Sequence, residues 1–232
     1  MASLHPPLKI AGKELDGDLI LAPMAGYSDA PFRRICREQG SAISYTELLS
    51  DEGLVHMAGR GLPLFAYTEE ERPLSVQLLG REPQNLLRAA QTVIEYARPA
   101  FIDVNMGCPA RRVAGGGRGA ALLKELDRIG LIMQTLSSGL PVPVTAKIRL
   151  GWDANSLVHV EAARALADNG AAMVAVHGRT KEQAYSGQAD WQAIARVVEA
   201  VDIPVVANGD VRSVADIEAI YEVTGCQGVM IG

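Results

Sequence analysis

Phe101-Ile102-Asp103-Val104-Asn105-Met106-Gly107-Cys108-Pro109 is a short apolar run that stops at a glycine- and proline-bounded corner carrying a cysteine. Phe101, Ile102 and Val104 favour the extended chain. Gly107 permits backbone geometry that a side chain would forbid, and Pro109 cannot continue a strand ladder. The stretch therefore predicts a strand that delivers the Cys108 thiol to a loop at its C-terminal end. Arg111, Arg112 and Arg118 follow among Gly115, Gly116, Gly117 and Gly119. A lone cysteine is more often buried and inert. This polar, cationic corner favours an exposed thiol instead.

Outward from that strand the same unit recurs. Apolar runs at 19–22, 42–46, 74–79, 101–105, 144–150, 172–177, 205–207 and 228–231 read as eight strands. Helical patterns separate them at 30–39, 83–97, 119–136, 157–167, 191–201 and 214–223, and 53–61 reads as loop and partial helix. In 83–97, for example, Leu86, Leu87, Ala90, Val93, Ile94 and Ala97 fall at helical spacing. Alternating strand–helix units imply a parallel sheet covered on both faces, and eight of them close a (β/α)8 TIM barrel of ~250 residues. An open doubly wound sheet is the alternative, but no GxGxxG follows the first strand, where a dinucleotide fold carries its phosphate loop. One domain spanning 1–232 is the expectation.

Composition narrows the class. The 232 residues are 48% hydrophobic and 21% charged, too apolar for disorder. No N-terminal run resembles a signal peptide, and none approaches the roughly eighteen apolar residues of a membrane helix, so a soluble, cytoplasmic protein is expected. Cys36, Cys108 and Cys226 are an odd number without CxxC or Cys/His metal spacing. Reduced thiols, no disulfide framework and no structural zinc follow. The net charge of −5 gives no global sign of nucleic acid, although a basic rim can coexist with an acidic body.

In a barrel, functional residues gather at the C-terminal strand ends. Those ends present Pro23-Met24-Ala25, Thr46-Glu47, Gln77, Asn105 with Cys108, Lys147 with Arg149, His177 with Arg179, Asn208-Gly209-Asp210, and Gly232. Strand alternation puts Lys147 and Arg149 on one face, opposite Ile148. If that face is the barrel interior, the two cations call for an anionic partner. His177 gains interest only from its setting beside Gly178 and Arg179. Asn208-Gly209-Asp210 follows the seventh strand, where many barrels hold phosphate. An ordinary turn with an Asp cap for the next helix explains that motif equally well.

Taken together, LAPMAG, QLLG, DVNMGCP, KIRLGW, HGRT, VVANGD and GVMIG, in this order from Leu21 to Gly232, resemble the tRNA-dihydrouridine synthases. The resemblance implies an FMN-containing barrel that uses NADPH to reduce the C5=C6 bond of uridines in tRNA. By the same resemblance Pro23, Met24 and Ala25 line the flavin, Gln77 bonds its ring, Lys147 approaches its N1/O2 edge and His177 also touches it. Asn208, Gly209, Asp210 and Gly232 hold the ribityl phosphate. Asn105, Arg149 and Arg179 contact the target uracil. Cys108 is the implied proton donor to C5, a task suited to a thiol whose unperturbed pKa is ~8.5. The base must leave its stack to reach such a pocket.

Two other readings remain open at this point. One is an FMN barrel acting on a free pyrimidine, similar to dihydroorotate or dihydropyrimidine dehydrogenases. Against it, Arg111, Arg112, Arg118, Arg149, Arg179, Lys181 and Arg212 all follow strands, more cations than one base and one flavin phosphate need. The other is a catalytically idle RNA-binding barrel, which the joint presence of Cys108 and Lys147 opposes. No protein partner is evident, and no nicotinamide motif separates NADPH from NADH. The sequence stops at Met230-Ile231-Gly232. The resemblance implies a further phosphate-binding arginine, a closing helix and a helical tRNA-gripping domain beyond that point. The expectation is therefore a longer natural protein, with this chain alone poorly soluble and weak in holding flavin.

Overall fold

The computed structural model of the chain describes residues 5–58, 60 and 63–232. Eight parallel strands form the barrel: Leu19–Leu21, Ser44–Tyr45, Leu74–Leu79, Phe101–Met106, Val144–Arg149, Val174–His177, Val205–Asn208 and Gly228–Ile231. Around the sheet the first pairs with the eighth, the eighth with the seventh, and so on back to the second. The ring is nearly closed, because Ala42 N–H donates to Leu19 C=O at 2.7 Å just below the second strand.

The helices follow the expected order: Ala30–Glu38, Asp51–Ala58, Pro83–Ala97, Leu126–Gly139, His159–Asp168, Trp191–Val198 and Val214–Thr224. Local chemistry starts several of them. Asp29 caps the first by accepting from Phe32 N–H, Asp190 does the same for Ala193 N–H, and Ser213 for Asp216 N–H. Gly225, at φ +64°, ends the last in the left-handed region that favours glycine.

Four details differ from the sequence reading. The helix expected over 119–136 is split into a 3-10 stretch, Gly119–Lys124, and an α-helix, Leu126–Gly139, with Glu125 turned outward to Arg81 and Arg128 at the break. A five-residue helix, Arg111–Gly115, follows the Cys108 corner. The 53–61 segment is a helix from Asp51, preceded by Leu49–Ser50 lying against Leu78–Leu79; Gly59 and Gly61 lie outside the described residues. An N-terminal hairpin, Lys9–Ile10 with Lys13–Glu14, was not expected at all.

Strand alternation divides the core in two. Val76, Leu78, Ile102, Val104, Met106, Val144, Ala146 and Ile148 face outward and pack under the helices. Leu8, Ile10 and Leu15 of the hairpin region join Ile20, Ile43, Tyr45, Phe101, Met173, Ala175, Val206 and Met230 in a second cluster that fills the lower barrel. Full burial of a side chain such as Phe101 contributes about 1.5–3 kcal/mol. No helix among the described residues is long and apolar enough to cross a membrane.

Candidate active site

Above the apolar plug the inward positions become polar. Register sets them side by side: Gln77 opposite Asp103, Asp103 opposite Thr145, Asn105 opposite Lys147, and His177 between Arg149 and Asn208. Ser75, Gln77, Asp103, Thr145 and Asn208 are buried, as are Arg149, His177 and Arg179. Lys147 is half-buried, and Cys108 keeps some solvent contact.

Cys108 sits where the sequence placed it, on the corner after the fourth strand. Its backbone N–H donates to Asn105 Oδ1 at 2.8 Å, and its carbonyl accepts from Ala120 N–H at 3.1 Å. Gly119 must be glycine for this corner to form. Its φ is +59°, and a Cβ there would stand 2.9 Å from the Cys108 carbonyl oxygen. Arg149 braces the other side by donating from Nε to Gly107 C=O at 2.9 Å.

Lys147 donates from Nζ to Asn208 Oδ1 at 2.8 Å, and Asn208 Nδ2 is held in turn by Met230 C=O. Desolvation, then repulsion from Arg149, pushes the ammonium down to about 7, with Asp103 and Cys108 acting in the opposite sense. His177 is pushed to about 2 by burial, then by Lys147, Arg149 and Arg179, so its ring is neutral. Asp103 is raised to about 6 by burial, partly offset by Thr145, Gln77 and Lys147. The mouth is therefore a cationic pocket in which the positive charges oppose one another.

The expected rim cations divide into two kinds. Arg149 donates to the carbonyls of Gly107, Thr180 and Ala184. Arg179 grips both oxygens of Asp210 at 2.8 Å and the carbonyls of Ser186 and Gly187. Both are buried braces of the 178–190 loop and are not open to a phosphate backbone. Arg111 and Arg112 are exposed and make no ion pair among the described residues, while Arg212 is exposed and paired with Asp210.

Asn208, Gly209 and Asp210 offer main chain rather than side chains to a ligand. The Asn208 amide is committed to Lys147 and Met230, and the Asp210 carboxylate to Arg179, Arg212 and Ala189 N–H. Gly209, at φ +119°, leaves no room for a Cβ, which would meet Ala189 and the His177 ring at about 3 Å. Gly232 packs against Ala22 and Met24, bringing the first and eighth strand ends together. The Pro23–Ala25 loop is tied down by Ser28, whose Oγ accepts from Met24 N–H, and by Glu47, which accepts from Gly26 N–H. Behind it the buried Arg33–Glu71 pair anchors Ser28 C=O.

Three contributors were missed at the rim. Asp103 and Thr145 lie one inward position below it, and the alternation that paired Lys147 with Arg149 points to both. Tyr185, three-quarters exposed, lies with its ring 5.5 Å from the Arg149 guanidinium and 6.5 Å from His177. Its loop carries no periodic signal.

Comparison with known proteins agrees with this fold. Solved structures that resemble the fold include a chain of the Amycolatopsis orientalis BexX/CysO complex (TM-score 0.59, 19% identity, 98% of this chain and 84% of that one). Another is a nitroalkane oxidase from Streptomyces ansochromogenes (TM-score 0.53, 19% identity, 94% and 65%). Sequence relatives are much nearer. A tRNA-dihydrouridine synthase B of Xanthomonas campestris is 39% identical over 92% of this chain and 64% of its own length. A probable tRNA-dihydrouridine synthase of Rhodobacter capsulatus is 41% identical over 94% and 67%. A tRNA-dihydrouridine synthase B of Pseudomonas aeruginosa is 37% identical over 97% and 68%. The chain spans about two thirds of the length of these curated relatives. The dihydrouridine synthase (Dus) family model matches residues 20–232, nearly the whole barrel, and the chain belongs to that family.

Proposed function

We propose that the barrel mouth reduces the C5=C6 bond of uridine in tRNA, with FMN as resident cofactor and NADPH as reductant. The observation that supports this reading is the Cys108 corner on the strand next to Lys147, whose Nζ donates to Asn208 Oδ1, at the mouth of a Dus-family barrel. The donor set suits FMN. Lys147 has hydrogens to give to an electron-rich ring edge, Gln77 keeps one amide hydrogen beyond its bond to Asp103, and the 208–210 main chain with Gly232 suits a phosphate. Bound there, FMN would supply hydride to C6 of the base.

The chain's own residues would do the rest. Pro23, Met24 and Ala25 would wall the cofactor, and neutral His177 would pack against it without adding charge. Lys147 would stabilise negative charge at the ring's N1/O2 edge. Asn105 and Arg149 would orient the uracil, and Arg179 would hold the 178–190 loop that closes over it. Cys108 would give its proton to C5 from the other face, leaving a thiolate to be reprotonated from solvent. Exposed Arg111 and Arg112 would meet the RNA backbone, with affinity falling as salt rises.

The test is uptake of FMN by the purified protein, followed by mapping of dihydrouridine in unmodified tRNA with NADPH present. Flavin binding with new dihydrouridine is expected. A folded protein that rejects FMN, or that binds it and reduces only free pyrimidines, would overturn the reading.

A further inference from the structure

Asp103 is a fully buried carboxylate without a role in the chemistry above. Its Oδ1 accepts from Thr145 Oγ1 at 2.5 Å and its Oδ2 from Gln77 Nε2 at 2.7 Å. Gln77 Oε1 accepts from Asn105 Nδ2 at 2.9 Å. Asn105 Oδ1 then accepts from the backbone N–H groups of Gly107 at 3.2 Å and Cys108 at 2.8 Å. Both ends of this run are irreversible, since an ionised carboxylate only accepts and a backbone N–H only donates. Between them stand two amides, each with a donor end and an acceptor end. One arrangement of the two satisfies every link.

We propose that Asp103 is a positioning residue for the Cys108 corner: by fixing the Gln77 amide it fixes the Asn105 amide, and through that the main chain carrying the thiol. Its catalytic consequence rests on the reading of Cys108 as proton donor. A second consequence concerns the base. Asn105 Oδ1 already serves two backbone N–H groups, and one Nδ2 hydrogen goes to Gln77. What Asn105 keeps for a ligand is a single N–H. A carbonyl of the base can accept it, whereas a ring N–H cannot, so the run biases the pose of the substrate as well as the thiol.

The test uses amide hydrogen exchange on the flavin-free protein, which needs neither cofactor nor turnover. In Asp103→Leu the Gln77 amide loses its acceptor and both amides can reverse. The Cys108 N–H is expected to exchange about tenfold faster, the scale of one lost hydrogen bond. Ile102 and Val104 amides in the same strand should be unchanged. Asp103→Asn keeps an acceptor for Gln77 and can turn its own amide toward Thr145 Oγ1, so it should stay near the wild-type rate. Should the leucine variant not fold, Gln77→Met breaks the middle link and is expected to give the same acceleration. A folded Leu or Met variant with unchanged Cys108 exchange would overturn the proposal, and so would equal acceleration in Asp103→Asn. In FMN-loaded protein, Asp103→Leu should slow tRNA reduction about tenfold while flavin reduction by NADPH holds. Failure of wild-type protein to reduce tRNA would sink the functional reading alone, because the exchange rates judge Asp103 independently.

Discussion

The two ends of the barrel interior are built on opposite principles. At the lower end Leu8, Ile10, Phe101, Met173 and Met230 interlock with almost no polar atoms among them. At the upper end Lys147, Arg149, His177 and Arg179 crowd together, with Asp103 beneath and Asp210 at the side. The lower end stabilises the fold. At the upper end, burial and mutual repulsion lower the proton affinities of Lys147 and His177.

The strongest way to break this contrast is to remove the thiol. Cys108→Ala is expected to cut dihydrouridine formation by about 10²–10⁴-fold while leaving flavin reduction by NADPH and thermal stability near wild type. Separate rates for the two half-reactions check this. The lower end should behave inversely. Phe101→Ala is expected to cost about 3–5 kcal/mol in denaturant unfolding, with unchanged flavin chemistry in the molecules that remain folded.

Lys147→Met should act on both quantities in opposite directions. FMN affinity should fall, and the Tm of the flavin-free protein should rise by about 5 °C, because a poorly neutralised cation is gone. Its pH dependence is specific. The folded-state value of about 7 lies below the ordinary 10.5, so the unfolded chain binds more protons between those limits. Stability of the flavin-free wild type should therefore climb as pH rises through that window, and this climb should flatten in Lys147→Met. The smallest effect is expected at Cys36, away from both ends of the interior. Cys36→Ser should change stability by no more than about 0.5 kcal/mol and leave tRNA reduction intact.

Much of this contrast was legible before the fold was known. Period-two and period-3.6 patterns are local, so the eight strands, their helices and the polar strand ends could be read directly. The hairpin that plugs the lower end could not, because two-residue strands carry no period; Ala11 and Gly12 simply turn with positive φ. Asp103 and Thr145 escaped because attention to strand ends passes over the inward position below. The commitment of Arg149 and Arg179 to main-chain carbonyls was invisible for a different reason. Their acceptors, the carbonyls of Thr180, Ala184, Ser186 and Gly187, lie on a loop whose path depends on tertiary contacts such as Asp210 to Ala189 N–H.

The most direct test of the upper end's role is anaerobic mixing of the FMN-loaded, NADPH-reduced protein with tRNA lacking dihydrouridine, following the return of oxidised flavin absorbance. The account predicts that tRNA reoxidises the flavin with one dihydrouridine formed per flavin, and that Cys108→Ala does so far more slowly. Flavin that stays reduced in the presence of tRNA, or is reoxidised equally fast by both proteins, would contradict it.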